Sequence, residues 1–205
     1  MPDGRAALSQ GMVETAAGQA RMLAKHLMQF VDDGRRVVVM EPSVLAMLVS
    51  DFKNLLGDED EYQKVKAATI DSVEYVAEVL ASAGVAAREV FDIEKSRAGK
   101  RLFVHTHCQQ KTSAHPEISL ELLRAVGFDV VTSRVECCGM AGSFGYKKDY
   151  YDLSVAVGAD LFAQVEAGIE SGGTVVAFGI SCAEQMRGGV RQKVLHPMQI
   201  LEALV

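Results

Sequence analysis

Apolar residues recur at helical spacing over about residues 10–31, at Met12, Ala16, Ala20, Leu23, Leu27 and Phe30, which predicts an amphipathic helix. RVVVM (36–40) is short, β-branched and unbroken, the composition of a strand buried on both faces. Pro42 and Ser43 then start a second helix, with Leu45, Leu48 and Phe52 on its inner side. Val65, Ala68, Ser72, Val76 and Val79 mark a third. RLFVH (101–105) reads as a strand, and Pro116 opens a helix carrying Ile118, Leu122 and Val126 that Gly127 ends. FDVVT (128–132) is a further strand. Leu153, Val157, Leu161 and Val165 step at four-residue intervals along another helix. TVVAFG (174–179) is a strand, 181–186 a short helical turn, and 197–204 a final helix. Strands alternating with helices predict an α/β fold with a mainly parallel sheet or sheets flanked by helices.

The two halves resemble each other. GRRVVVMEPSVLAML aligns with GGTVVAFGISCAEQM, setting Ser43-Val44 opposite Ser181-Cys182. Gly4 falls opposite Gly139 once one three-residue length difference is allowed in the connection. This predicts two tandem Rossmann-like repeats, in which Pro2 and Asp3 stand for Cys137 and Cys138, and Val44 for Cys182. Residues 1–100 would be a degenerate first repeat lacking its N-terminal part, and 101–205 the second.

Composition narrows the class. The chain has 205 residues, 49% hydrophobic and 23% charged, with a net charge of -6, ordinary for a globular protein and wrong for nucleic-acid or anionic-membrane partners. No apolar run is long enough to span a bilayer, and the first residues lack a secretory layout. Four cysteines are too few for a disulfide-stapled secreted scaffold, so a cytoplasmic protein with reduced or metal-bound thiols is expected.

Each cysteine follows a predicted strand: Cys108 after RLFVH, Cys137 and Cys138 after FDVVT, Cys182 after TVVAFG. Carboxyl ends of parallel strands are where α/β sheets place their sites. A cysteine acting as core filler belongs instead inside strands and helix stripes. Adjacent cysteines chelate one tetrahedral ion poorly, whereas zinc sites favour pairs two to four residues apart. A polynuclear iron–sulfur cluster, in which each sulfur takes a different iron, suits them better. Zinc remains the second reading, and a metal-free redox thiol pair the third. Gly139, Gly142 and Gly145 would let the backbone pass close to an inorganic core and point N–H groups at it, with the following helix adding its positive end. GxxGxxG is neither the dinucleotide fingerprint nor a phosphate loop. His105 and His107 flank Cys108 closely enough to tune the centre or relay protons, or else are plain polar residues at a strand end. Lys147 and Lys148 fit a solvated turn or an anion-attracting one.

HCQQK (107–111), CCGMAGSFGY (137–146), GISCAEQM (179–186) and EPSVLAML (41–48) resemble the cysteine-rich CCG domain. More narrowly, they are similar to the C-terminal part of FAD-linked iron–sulfur D-lactate dehydrogenases and to the iron–sulfur component of glycolate oxidase, relatives of heterodisulfide reductase. The resemblance covers nearly the whole chain. It implies electron transfer from a flavin through an iron–sulfur centre, 4Fe-4S in type, with Cys108, Cys137, Cys138 and Cys182 as ligands. The substrate would be a 2-hydroxy acid, with FAD only on a partner flavoprotein. Where the family has CCG and EPSC in its first repeat, this chain has Pro2-Asp3-Gly4 and EPSV, so a first cluster is not expected. The second repeat has one cysteine after its last strand, so no fifth ligand is implied. The absence of a ferredoxin segment and a flavin domain implies that the chain is a component, not a complete dehydrogenase. An uncovered sheet edge in the first repeat would suit a partner or a second copy.

Overall fold

The computed structural model describes residues 1–205 and has two separate parallel sheets flanked by helices. The first half runs α1 (Arg5–Leu8), α2 (Val13–Val31), β1 (Val37–Val39), α3 (Pro42–Ala46), a π turn (Met47–Asp51), α4 (Phe52–Leu56), α5 (Asp60–Ala68), β2 (Thr69–Asp71), α6 (Ser72–Ala83) and α7 (Ala87–Val90). The second runs β3 (Arg101–His105), α8 (Cys108–Ser113), α9 (Pro116–Val126), β4 (Asp129–Thr132), α10 (Tyr151–Glu170), β5 (Thr174–Ala177), α11 (Ile180–Val190) and α12 (Pro197–Glu202). β1 pairs with β2, Val38 opposite Ile70. β3 is central in the order β4-β3-β5, with Phe103 opposite both Val131 and Val175.

Strand alternation divides the second half into two cores. Leu102 and Val104 of β3 face one with Leu122, Val126, Ile200 and Leu204, which also receives Val73, Ala87 and Phe91 from the first half. Phe103 faces the other, with Leu161 and Val165 of α10 and Met186 of α11. A third core joins α2, β1, the π turn, α4 and α5 around Met47, Phe52 and Tyr62. No helix is long and apolar enough to cross a membrane.

Several elements differ from the sequence pattern. The third helix is broken: Thr69 and Ile70, both β-branched, leave α5 and pair with β1, and Asp71 restarts the chain as α6. The Asp71 carboxylate accepts the N–H groups of Val73 and Glu74 at 2.8 and 3.3 Å, a strong N-cap. Helical periodicity on both sides hides the interruption. β1 is not buried on both faces, because its sheet has only two strands and Val38 remains 43% exposed. On α2 the buried stripe is Ala16, Ala20, Ala24 and Met28, while Met12 and Phe30 are exposed. On α10 it is Ser154, Gly158, Leu161 and Val165, and Leu153 and Val157 are 56% and 51% exposed. A strict four-residue step drifts across a helix of 3.6 residues per turn. Both long helices thus bury small residues where a loop crosses them. The turn expected at 181–186 is the full helix α11, and α8 is an added short helix.

Candidate metal centre at the carboxyl ends of the strands

Thr106 and His107 follow β3, and Cys108 opens α8. Cys137 and Cys138 lie in the loop after β4, and Cys182 lies in the first turn of α11, after β5. Cys108, Cys137 and Cys138 line one cavity of about 720 Å³. Cys182, 1% exposed, is not in its wall but lies behind Cys138, to which its thiol is hydrogen-bonded. All four thiols are free. No group of three or more His, Cys, Asp or Glu side chains is arranged to hold a single metal ion.

The sulfurs influence one another electrostatically. The hydrogen bond from Cys182 lowers Cys138 to about 7, against the opposing effect of burial. The same bond, together with burial, pushes the Cys182 thiol far up. Burial and the neighbouring Cys137 and Cys138 raise Cys108. Backbone amides face the loop sulfurs: the Gly139 N–H donates to Cys137 Sγ at 3.4 Å, and the Met140 N–H points at Cys138.

The glycines divide by role. Gly139 has φ 93°, and a Cβ there would lie 2.2 Å from the Ser154 carbonyl oxygen. At Gly145 a Cβ would meet Ser154 Oγ at 2.4 Å and Met140 Sδ at 2.5 Å. Both positions therefore serve the close approach of the loop to α10. Gly142, with φ 67°, lines the cavity. Ser154 Oγ donates to the Gly139 carbonyl at 2.9 Å, and Gln185 Nε2 of α11 donates to the Ser154 carbonyl at 3.0 Å. Sequence reasoning missed Ser154 and Gln185; the small pair Ser154 and Gly158, one helical turn apart, was the available signal. None of residues 147–154, which include Lys147, Lys148 and the start of α10, lines the cavity.

His107 lines the cavity; its Nδ1 accepts the Gln109 N–H at 3.1 Å, capping α8, and its Nε2 lies 3.4 Å from Ser181 Oγ. Burial lowers its pKa. His105 is fully buried and outside the cavity wall. Its Nδ1 pairs with Ser133 Oγ at 2.7 Å, and its Nε2 has no partner. Burial, then Lys111 and His107, lower it to about 4, so it is neutral at pH 7.

The first half supplies the facing wall, with Asp3, Arg5, Glu41 and Ser43. Glu41 Oε2 accepts the Ile180 N–H at 2.8 Å, and Oε1 accepts Ser43 Oγ at 3.0 Å. Arg5 pairs with Asp51 and donates from Nε to the Ser43 carbonyl at 3.2 Å. In the sequence, the alignments of Asp3 with Cys138 and of Ser43 with Ser181, and the motif that begins at Glu41, pointed to this wall, and Arg5 was not singled out. A second cavity, about 460 Å³, lies across the molecule beside Ala98, Thr174 and α12, and holds neither cysteine nor histidine.

Comparison with known proteins gives relatives but no family: no family model matches the chain. One of the subunits of anaerobic glycerol-3-phosphate dehydrogenase, from Escherichia coli (strain K12), is 34% identical over 103 residues, 49% of this chain and 25% of that protein. D-2-hydroxyglutarate dehydrogenase of the same strain is 24% identical over 206 residues, 100% of this chain and 19% of that protein. The Pseudomonas putida protein of the same name is 24% identical over 194 residues, 94% of this chain and 17% of its own length. The chain therefore spans about a quarter or less of the relatives it matches, and is homologous to a segment of each.

Proposed function

We propose that this chain is the cluster-binding part of an iron–sulfur electron-transfer component, working beside a flavoprotein that oxidises a 2-hydroxy acid such as D-lactate or glycolate. One observation carries the reading. Thiols from two separate strand ends, Cys108 and the pair Cys137 and Cys138, meet on one cavity wall, with Cys182 from a third strand end directly behind. Soft thiolate donors select iron–sulfur clusters, zinc or copper(I) over hard cations. Sulfurs gathered at one cavity with no three ligands arranged around a single ion suit a body with several metal atoms better than a single ion. The donor set therefore fits a cluster, which Cys108, Cys137, Cys138 and Cys182 would hold.

The chain's own residues supply the rest. N–H groups of Gly139 and Met140 face the sulfurs and favour added negative charge. His107, buried and capping α8, fixes the backbone that presents Cys108. The close crossing of Gly139 and Gly145 over Ser154 holds the paired cysteines in place. When bound, a cluster supplies one-electron transfer between a flavin on the partner and an acceptor. The names of the relatives support a dehydrogenase setting: one is by name part of a multi-subunit enzyme, which implies partners, and two act by name on a 2-hydroxy acid.

Anaerobic purification followed by iron and acid-labile sulfide analysis, with absorption and electron paramagnetic resonance spectra before and after reduction, tests this. Iron and sulfide together, with a spectrum that changes on reduction, are expected. Zinc without sulfide would instead establish a non-redox scaffold. Metal-free protein with a reactive thiol would establish thiol chemistry.

A further inference from the structure

The cavity across the molecule from the thiols follows from how the second sheet ends. β5 pairs along one side with β3, but its other side meets only Leu195, opposite Val176. Ahead of that bridge, Gly172 and Gly173 lead into Thr174 with no side chains to fill the edge. Ile169 packs with the core beneath α10, whereas Ile200 and Leu204 belong to the core on the other face of the sheet. All three line the space of about 460 Å³ that opens where the two layers part. Small-molecule sites occupy about 300–1,000 Å³. Residues 96–98, before β3, form one side of it, tied in place where Thr174 Oγ1 donates to the Ala98 carbonyl at 2.6 Å.

The lining combines an aliphatic floor with unopposed positive charge. Ile169, Val175, Leu195, Ile200 and Leu204 form the floor, and Val175, Ile200 and Leu204 are buried. Arg97 and Lys193 line the same cavity and are exposed. Neighbouring cations are matched within the chain, Lys100 with Glu94, Arg101 with Asp129 and Arg187 with Glu184, whereas Arg97 and Lys193 are in no ion pair. No Asp or Glu lines the cavity, although the chain has 27 acidic residues against 21 basic ones. Gln199, also in the lining, accepts the His196 N–H on its Oε1 at 2.9 Å, which leaves its Nε2 amide as a third donor. An apolar pocket with a few donors and no negative charge selects an anion with an apolar body. We propose that this cavity binds a small aliphatic anion, its carboxylate or phosphate head held by Arg97 and Lys193 and its hydrocarbon body against the floor. The site does not depend on the cluster reading: it contains neither cysteine nor histidine and lies at the opposite end of β5 from Cys182.

The test is isothermal titration calorimetry of the full chain with octanoate, octyl phosphate and uncharged octanol. At least one of the two anions should bind once per chain and about tenfold or more tighter than octanol, and the tighter of the two identifies the head group. Changing Arg97→Gln and Lys193→Gln together, at two exposed positions, should reduce the anions to the affinity of octanol. Ala203→Phe places a large side chain in the cavity from an exposed position in its lining, and should abolish binding of all three molecules. Thermal melts followed by circular dichroism establish that each variant is folded. No binding of either anion at millimolar concentration, octanol binding as tightly as the anions, or anion binding that either variant leaves unchanged would overturn the inference.

Discussion

Gly139→Ala should destabilise the protein far more than the same change at Gly172, although both glycines lie in the left-handed region, with φ 93° and 81°. Forcing a side chain into that region costs about 1–2 kcal/mol, and at Gly172 nothing lies within 4 Å to add to it. At Gly139 the new methyl would sit 2.2 Å from the Ser154 carbonyl oxygen and 3.1 Å from the Gly158 nitrogen. Both are backbone atoms inside α10, which cannot turn aside as a side chain can. The loop must lift away, which breaks the buried bond from Ser154 Oγ to the Gly139 carbonyl. An orphaned buried polar group costs about 1–3 kcal/mol, and overpacking about 1–3 more. The total, about 3–8 kcal/mol, compares with about 1–2 kcal/mol at the control site. Urea unfolding of the reduced, metal-free protein measures this. With a slope of about 2–3 kcal/mol per molar, the midpoint should fall by roughly 1–4 M for Gly139→Ala and by less than about 1 M for Gly172→Ala. Gly142→Ala, at φ 67° with only Ser9 Cβ at 3.6 Å, should behave like the control. Equal losses at all three positions would refute the tight crossing of the cysteine loop over α10.

Other consequences can be checked in the same preparations. Cys137→Ser should lose most of the bound iron and lower the melting temperature, because cluster ligation contributes folding free energy; full iron and an unchanged melting temperature would remove Cys137 from the ligand set. Asp71 is pushed up to about 6, chiefly by burial. The fold thus favours its protonated form, and the stability it contributes is complete below about pH 4 and lost as pH rises through about 6. Asp71→Asn keeps a capping oxygen and should flatten that loss, gaining about 2 kcal/mol relative to wild type between pH 4 and pH 8; parallel urea midpoints at the two pH values would count against it. Glu41→Ala leaves the Ile180 N–H and Ser43 Oγ without their acceptor and should cost about 1–3 kcal/mol, with Glu41→Gln losing less; a neutral result by urea unfolding would mean that the two halves do not lean on this contact.

The second-half strands were legible because each is a β-branched or aromatic run bounded by turn residues, and β3, β4 and β5 lie where RLFVH, FDVVT and TVVAFG stand. β2 was not legible. Its three residues, Thr69–Asp71, sit between two stretches with helical periodicity, and only pairing with β1 makes them a strand. The buried face of α10 was misread for a related reason. Leu153 and Val157 are more hydrophobic than Ser154 and Gly158, yet the loop carrying Cys137 and Cys138 needs small residues beneath it. Close approach, not hydrophobicity, chose the inward face.

The thiol wall of Cys108, Cys137 and Cys138 could be read from residues of one rare type, each following a strand. The opposite wall was legible only in part: the repeat set Asp3 opposite Cys138 and Ser43 opposite Ser181, whereas Arg5 is a common residue that only the fold carries there. The first half, which has no cysteine, nevertheless reaches the turn that carries Cys182, because Glu41 accepts the Ile180 N–H two residues before it. Glu41→Ala frees that N–H and should therefore change the alkylation rate of Cys182 in the metal-free protein while leaving that of Cys108, on a different helix, unchanged; equal rates for Cys182 in wild type and variant would show that the contact does not hold the turn.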